Sequence, residues 1–132
     1  MPERILIIDD SPTIRLTTKN CLLRMGVEAD AIRVAASGRE ALEAFAAFRP
    51  DLVFLDLVLP GMNGKRVATQ LLKLDPGLRV VLVTGTAAGD PRIAELLSLG
   101  VFDVIQKPVH LEKLEMVFSQ LARDDRGLHR VQ

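Results

Sequence analysis

The most restrictive feature of the sequence is a regular alternation between short apolar runs and longer segments of helical period. Three of the short runs are apolar almost throughout, which is typical of strands buried on both faces of a parallel sheet. We therefore predict an α/β protein with five β/α units, in which a doubly wound, five-stranded parallel sheet has helices packed on both faces. The predicted strands are residues 4–8, 29–35, 52–55, 79–83 and 102–105.

The helical segments have recognisable start and stop signals. Ser11 is the predicted N-cap of the first helix, with Pro12 at the first helical position. Ser37 is the predicted N-cap of the second helix, and Glu40 is its capping-box partner. The later helices are expected at about 65–74, from 90 or 91 to 100, and after residue 110. The residues of these helices expected to face the core include Val67, Leu71, Leu74, Leu111, Leu114, Phe118 and Leu121.

Length and charge limit the classes of function. The 132 residues fit one core, and we expect a domain at 1–122 followed by a polar tail or the start of a linker at 123–132. Lys plus Arg equals Asp plus Glu at 17 each, so neither nucleic acid nor a membrane surface is an expected partner. The single Cys21 excludes an internal disulfide and is interpreted as a packing residue, so we predict a cytoplasmic location.

Polar residues follow four of the five predicted strands at their carboxyl ends. They are Asp9 and Asp10 after the first strand, Asp56 after the third, Thr84 after the fourth and Lys107 after the fifth. Ligands of open α/β sheets bind at this edge, where the winding reverses direction. A strand order of 2-1-3-4-5 would bring the three acids together, and a lysine side chain can largely cross the roughly 10 Å from the fifth strand.

Charge repulsion favours a cation among these acids. Two carboxylates about 5 Å apart repel by roughly 3 kcal/mol at an effective dielectric constant near 20. Lys107 would offset one charge, and Mg²⁺ suits the others because it binds carboxylates, water and phosphate oxygens. An aspartate can act as a nucleophile and form an aspartyl phosphate. Asp56 is the predicted acceptor because it stands alone after its strand, whereas Asp9 and Asp10 form a metal-binding pair.

Each of these residues also has an ordinary structural explanation. Asp9 or Asp10 could cap the first helix, and Asp56 could be a loop residue. Thr84 could be a turn hydroxyl, and Lys107 a solvated surface charge. Their joint placement at four strand ends favours the functional interpretation.

Four motifs, which together are highly specific, resemble the receiver domain of two-component response regulators over about residues 4–122. The first motif ends in Asp9, Asp10 and Ser11, and the second surrounds Asp56. The full motifs are ILIIDDS at 5–11, DLVFLDLVLPGMNG at 51–64, VTG at 83–85 and KP at 107–108. The resemblance implies a flavodoxin-like fold. The family that the chain resembles includes single-domain chemotaxis regulators.

The resemblance also implies a mechanism. Asp56 would accept a phosphoryl group from a sensor histidine kinase or a phosphotransfer protein. Thr84 and Lys107 would each contact a phosphoryl oxygen, and Gly85 would leave the backbone accessible to the same group. The Lys107–Pro108 bond would be cis. The implied ligands of Mg²⁺, or of Mn²⁺ in its place, are Asp9, Asp10, Asp56 and the backbone carbonyl of Val58.

The implied output is a conformational switch that a downstream protein reads on the face made by the fourth helix, fifth strand and fifth helix. The sequence leaves open whether two copies associate and whether the chain counts as an enzyme. In this interpretation the protein catalyses its own phosphorylation and dephosphorylation, but it acts mainly as a switch. One alternative is a receiver-like binding module that is not phosphorylated. Another is a metal-dependent phosphohydrolase, which commonly has an acid where this chain has Val58.

Two departures from the family pattern carry predictions. Val104 occupies the position of an aromatic residue that moves with the threonine in the family, and whether Phe102 replaces it is left open. Val58 and Thr86, two residues after Asp56 and Thr84, offer neither an amide nor a carboxylate to orient water. We therefore predict slow self-dephosphorylation.

Overall fold

A computed structural model describes residues 2–124. Five parallel strands form one sheet in the order β2-β1-β3-β4-β5, which confirms the predicted fold class and strand order. The strands are β1 (Ile5–Ile8), β2 (Ile32–Ala35), β3 (Leu52–Leu55), β4 (Arg79–Thr84) and β5 (Asp103–Gln106). The helices are α1 (Pro12–Arg24), α2 (Gly38–Phe48), α3 (Gly64–Leu74), α4 (Pro91–Leu99) and α5 (Leu111–Ala122).

Two hydrophobic clusters cover the two faces of the sheet. Successive side chains of a strand point to opposite faces, so Leu6 and Ile8 pack with residues of α2, α3 and α4. Ile5 and Ile7 pack with residues of α1 and α5. Strands β1 and β3 are buried along their whole length, which explains their continuous apolar sequence.

Side-chain caps start the helices largely as predicted. The Ser11 hydroxyl accepts from the Ile14 N–H at 3.3 Å, and the Ser37 hydroxyl accepts from the Glu40 N–H at 3.2 Å. The Glu40 carboxylate, however, accepts from the N–H of Ala36, one residue before the position expected for a capping box. Asn63 caps α3, which begins one residue earlier than predicted.

Two predictions about individual elements were wrong. Residues Ala29–Ala31 form a 3₁₀ turn, so β2 begins only at Ile32. Alanine and aspartate have low strand propensity, and the Ala31 N–H closes this turn on Glu28. Leu74 is 66% exposed, because it is the last residue of α3 and Leu78 fills the same core nearby.

The end of the described chain packs against the sheet. The Arg79 guanidinium lies 2.9 Å from the Asp124 carboxylate, two residues after the end of α5. Residues 125–132 of the predicted tail or linker lie outside the described residues. Within residues 2–124, none of the helices has the length and apolar character that crossing a membrane requires.

Candidate functional site

The turn between β1 and α1 fixes the first two acids. The Asp9 N–H donates to the Ala35 carbonyl at 3.0 Å, which extends the β1–β2 pairing to the end of the strand. One Asp9 carboxylate oxygen accepts from the Ser11 N–H at 2.9 Å, and the Arg15 guanidinium donates to the Asp9 carbonyl at 2.8 Å. Hydrogen bonds therefore fix both the carboxylate and the backbone of Asp9, which is buried. Asp10, the next residue, is exposed.

Asp56 lies directly beside this turn. Its N–H donates to the Ile8 carbonyl at 2.9 Å, so the β1–β3 pairing places it next to Asp9. Its carboxylate accepts from the Val58 N–H at 3.2 Å, and the residue is only 5% exposed. Asp9, Asp10 and Asp56 each have a carboxylate oxygen within 4.8 Å of the other two.

Lys107 follows β5, the outermost strand of the sheet, and its side chain reaches this cluster. Its ammonium lies 3.0 Å from the Asp9 carboxylate and 3.1 Å from the Asp56 carboxylate. The Lys107 N–H donates to the Thr84 carbonyl at 2.9 Å, and the Lys107–Pro108 bond is cis. One lysine thus bridges acids from two neighbouring strands.

The acids and the lysine change the ionisation of one another. Burial raises the pKa of the Asp56 carboxyl, and the hydrogen bonds from Val58 and Lys107 only partly oppose this effect. Burial alone would lower the pKa of the Lys107 ammonium, but contacts with Asp9 and Asp56 outweigh it, so that pKa is raised. Lys107 therefore stays protonated, yet the ionised Asp56 remains incompletely compensated.

The donor set fits a small, hard divalent cation. Three carboxylates and one ammonium leave an excess of two negative charges when all are ionised. One buried oxygen of Asp9 accepts no well-aligned hydrogen bond from residues 2–124, although the Lys107 ammonium is near it. Mg²⁺ binds through one or two carboxylates and keeps several waters, which suits a cluster with one exposed acid.

Thr84 ends β4 close to the same edge of the sheet. Its buried hydroxyl donates to the Thr86 hydroxyl at 3.0 Å and accepts from the Thr86 N–H at 3.1 Å. A Cβ atom on the neighbouring Gly85 would meet no described atom within 4 Å. Packing within the protein therefore does not require a glycine there, and the roles predicted for Thr84 and Gly85 concern an incoming group.

Gly64, next to the backbone of Asp56, is a residue that the sequence reasoning did not single out. Gly64 donates to the Leu57 carbonyl at 2.9 Å. A Cβ atom at Gly64 would collide with the Asp56 carbonyl oxygen and would lie 2.6 Å from Leu57 Cα. The sequence signal was a glycine immediately after the cap residue Asn63, at the first position of α3.

Phe102 and Val104 pack in different hydrophobic clusters, on opposite faces of the sheet. Val104 packs against the cluster shared with α2, α3 and α4, whereas Phe102 packs against the cluster shared with α1 and α5. Phe102 precedes the first residue of β5, so the alternation of a regular strand does not apply to it. Phe102 therefore does not take the place of an aromatic residue at Val104.

A family model for the response regulator receiver domain matches residues 5–118. The chain belongs to this family. The receiver is 28% identical to the chemotaxis protein CheY of Thermotoga maritima over 123 residues, which are 93% of this chain and 100% of that protein. It is 35% identical to the response regulator MprA of Mycolicibacterium vanbaalenii over 86% of this chain, but this match covers 48% of MprA.

Solved structures show the same fold. A CheY-like receiver domain protein from Methanospirillum hungatei superposes with a TM-score of 0.82 at 31% identity, covering 93% of this chain and 96% of that one. The response regulator TrrA of Thermotoga maritima, solved in complex with Mg²⁺ and BeF, has a TM-score of 0.77 at 31% identity. That match covers 90% of this chain and 98% of TrrA.

Proposed function

We propose that this receiver accepts a phosphoryl group on Asp56 from the phosphohistidine of a sensor histidine kinase or phosphotransfer protein. The observation that carries the proposal is the Lys107 ammonium held between two buried carboxylates, beside a third that is exposed. A purely structural ion pair needs one acid. A site for phosphoryl transfer needs a nucleophilic carboxylate and further carboxylates that bind a metal cation. This role also places the receiver in the cytoplasm, with its kinase.

The transfer exchanges one bond to phosphorus for another. An Asp56 carboxylate oxygen bonds to phosphorus as the bond from phosphorus to the histidine nitrogen breaks, and that nitrogen takes up a proton. Lys107 is placed to pair with a phosphoryl oxygen, and Thr84 to donate to another once its hydroxyl leaves Thr86. Bound Mg²⁺ or Mn²⁺ would neutralise charge on the phosphoryl oxygens. Its proposed ligands are Asp9, Asp10, Asp56 and the Val58 carbonyl.

The first test replaces the acceptor. We expect wild-type protein incubated with acetyl phosphate and Mg²⁺ to gain one phosphoryl group by intact-mass spectrometry, and Asp56→Asn to gain none, because an amide is not a competent nucleophile. Removing the metal with a chelator should abolish the wild-type signal. Asp30→Asn, which changes an exposed aspartate in the 3₁₀ turn, is the matched control and should behave as wild type. A phosphoryl group on Asp56→Asn would contradict the proposal.

The same experiment separates the alternative functions. A binding module that is not phosphorylated would give no mass change in any of these proteins. A phosphohydrolase would release phosphate rapidly without accumulating the phosphorylated form, whereas a receiver with slow self-dephosphorylation stays phosphorylated. The Val58 side chain is 58% exposed and places no acid at the position where such enzymes commonly have one.

The lifetime of the phosphoryl group provides a second prediction. Neither Val58 nor Thr86 offers an amide or carboxylate that could orient an attacking water. We expect Val58→Asn to shorten the half-life of the phosphorylated protein by roughly tenfold, because a positioned polar group raises the local effectiveness of water. The decay is followed by intact mass after the donor is removed. Val34→Asn, at an exposed valine of β2, serves as control, and equal lifetimes for both variants would contradict the prediction.

The output surface is proposed to be the face formed by α4, β5 and α5. A groove of about 370 Å³ runs along β5 and α5, and its wall includes Val104, Gln106 and Met116. The Met116 side chain is 64% exposed, and Leu97 of α4 is also exposed. Apolar side chains flanked by polar ones are typical of protein-binding surfaces, which supports a downstream protein as the partner.

A further inference from the structure

A second lysine contacts the backbone on both sides of Lys107. The Lys113 ammonium donates to the Gln106 carbonyl at 2.8 Å and to the Pro108 carbonyl at 3.1 Å. These two carbonyls belong to the residues immediately before and after Lys107. We propose that Lys113 is a positioning residue, which holds the Gln106–Pro108 turn so that the Lys107 ammonium lies between Asp9 and Asp56. This inference rests on the proposed function.

Helix energetics do not explain a lysine at this position. Lys113 is the third residue of α5, after Leu111 and Glu112, and His110 is the N-cap. The third position is where a glutamate or glutamine would complete a capping box, and a cation there faces the positive end of the helix dipole. The His110 side chain makes no capping hydrogen bond in its place. The contacts with the two carbonyls are therefore the interactions that favour Lys113.

The turn needs an anchor because Lys107 reaches a long way from its backbone. Lys107 follows the edge strand β5, and β4 lies between β5 and β3, which ends beside Asp56. Any shift of the turn moves the base of this extended side chain and changes both ammonium–carboxylate distances together. The Lys107 N–H is bonded to Thr84 on the sheet side, and Lys113 holds the two neighbouring carbonyls from the helix side. Pro108 contributes no N–H of its own.

The role can be separated from general stabilisation by a double-mutant cycle. Phosphorylation rate constants with acetyl phosphate and Mg²⁺ are measured for wild type, Lys113→Met, Lys107→Met and the double variant. We expect Lys113→Met to slow phosphorylation roughly tenfold when Lys107 is present, because small displacements of a positioned group have large effects on rate. When Lys107 is absent, the same substitution should change the rate less than about twofold, because interacting residues are not additive.

Two further variants sharpen the result. Lys113→Arg keeps N–H donors that can reach both carbonyls and should restore the rate to within about threefold of wild type. Lys73→Met, at an exposed lysine of α3, should leave the rate unchanged. Thermal unfolding shows whether each variant is folded. If Lys113→Met is not folded, Lys113→Gln is measured in the same two backgrounds and judged by the same criterion.

An equal loss of rate with and without Lys107 would overturn the inference, since Lys113 would then act on the domain as a whole. No loss in the single variant, or no recovery with Lys113→Arg, would overturn it as well. These outcomes all leave wild type able to accept a phosphoryl group. If wild type does not accept one, the proposed function fails, and the inference fails with it.

Discussion

Lys107→Met is expected to lower the free energy of unfolding by about 3 kcal/mol in metal-free buffer near neutral pH, the lower end of the range for breaking a buried ion pair. The substitution leaves the carboxylates of Asp9 and Asp56 without the ammonium that lies 3.0 and 3.1 Å from them. The lower end applies because the Lys107 side chain is 22% exposed, so water reaches the site. Urea denaturation measures the change.

The cause of this loss can be tested in three ways. Adding Asp56→Asn to Lys107→Met should recover much of the stability, because it removes one uncompensated carboxylate. Millimolar Mg²⁺ should stabilise Lys107→Met, because a ligand that binds only the folded state favours it. Lys73→Met should have little effect, since it changes an exposed lysine. A loss below about 1 kcal/mol, which is typical of a surface pair, would show that water already screens these acids.

The pH dependence of the same loss has a definite sign. Burial raises the pKa of Asp56 in the folded protein. A carboxyl whose pKa is raised in the folded state destabilises the protein in full at pH values above the folded pKa. This cost shrinks as the pH falls below the folded pKa, and it is absent below the unfolded pKa. The stability difference between wild type and Lys107→Met should therefore shrink as the pH is lowered through that range.

Gly64→Ala is expected to lower the free energy of unfolding by roughly 3 kcal/mol, the upper end of the usual range for overpacking. The added methyl group would meet the Asp56 carbonyl oxygen and would lie 2.6 Å from Leu57 Cα and 2.8 Å from the Leu57 carbonyl oxygen. These are backbone atoms, so no change of side-chain rotamer relieves the contact. The loop that carries Val58 would have to move away from α3.

The matched control for this substitution is Gly89→Ala. A Cβ atom at Gly89 would meet no described atom within 4 Å, and Gly89 does not have a left-handed backbone conformation. We expect its stability to remain within about 0.5 kcal/mol of wild type. Chemical denaturation of both variants gives the comparison. Equal stabilities would mean that the loop after Asp56 adjusts without cost.

The sequence was sufficient for the features that depend on local pattern. Two-sided burial makes β1 and β3 continuously apolar, so both strands could be recognised within one residue. Ser11 and Ser37 could be identified as caps because capping acts over only three residues. The prediction that β2 begins at residue 29 was wrong. A 3₁₀ turn and the start of a strand differ by a local hydrogen bond, which residue preferences do not determine. The prediction that Leu74 faces the core was also wrong. Its exposure depends on the tertiary packing at the end of α3, where Leu78 fills the core instead.

The acids and the lysine were predictable from the sequence because parallel strands bring their carboxyl ends to one edge, whatever the details of packing. Only the tertiary structure showed that the Lys107 ammonium lies between Asp9 and Asp56, and that Arg15 and Lys113 bond to the backbone beside those residues. It also showed that Gly64 lies against the backbone of Asp56 and Leu57. Strand topology follows from periodicity along the chain, but contacts with backbone carbonyls leave no pattern of residue types, because every residue has such a carbonyl.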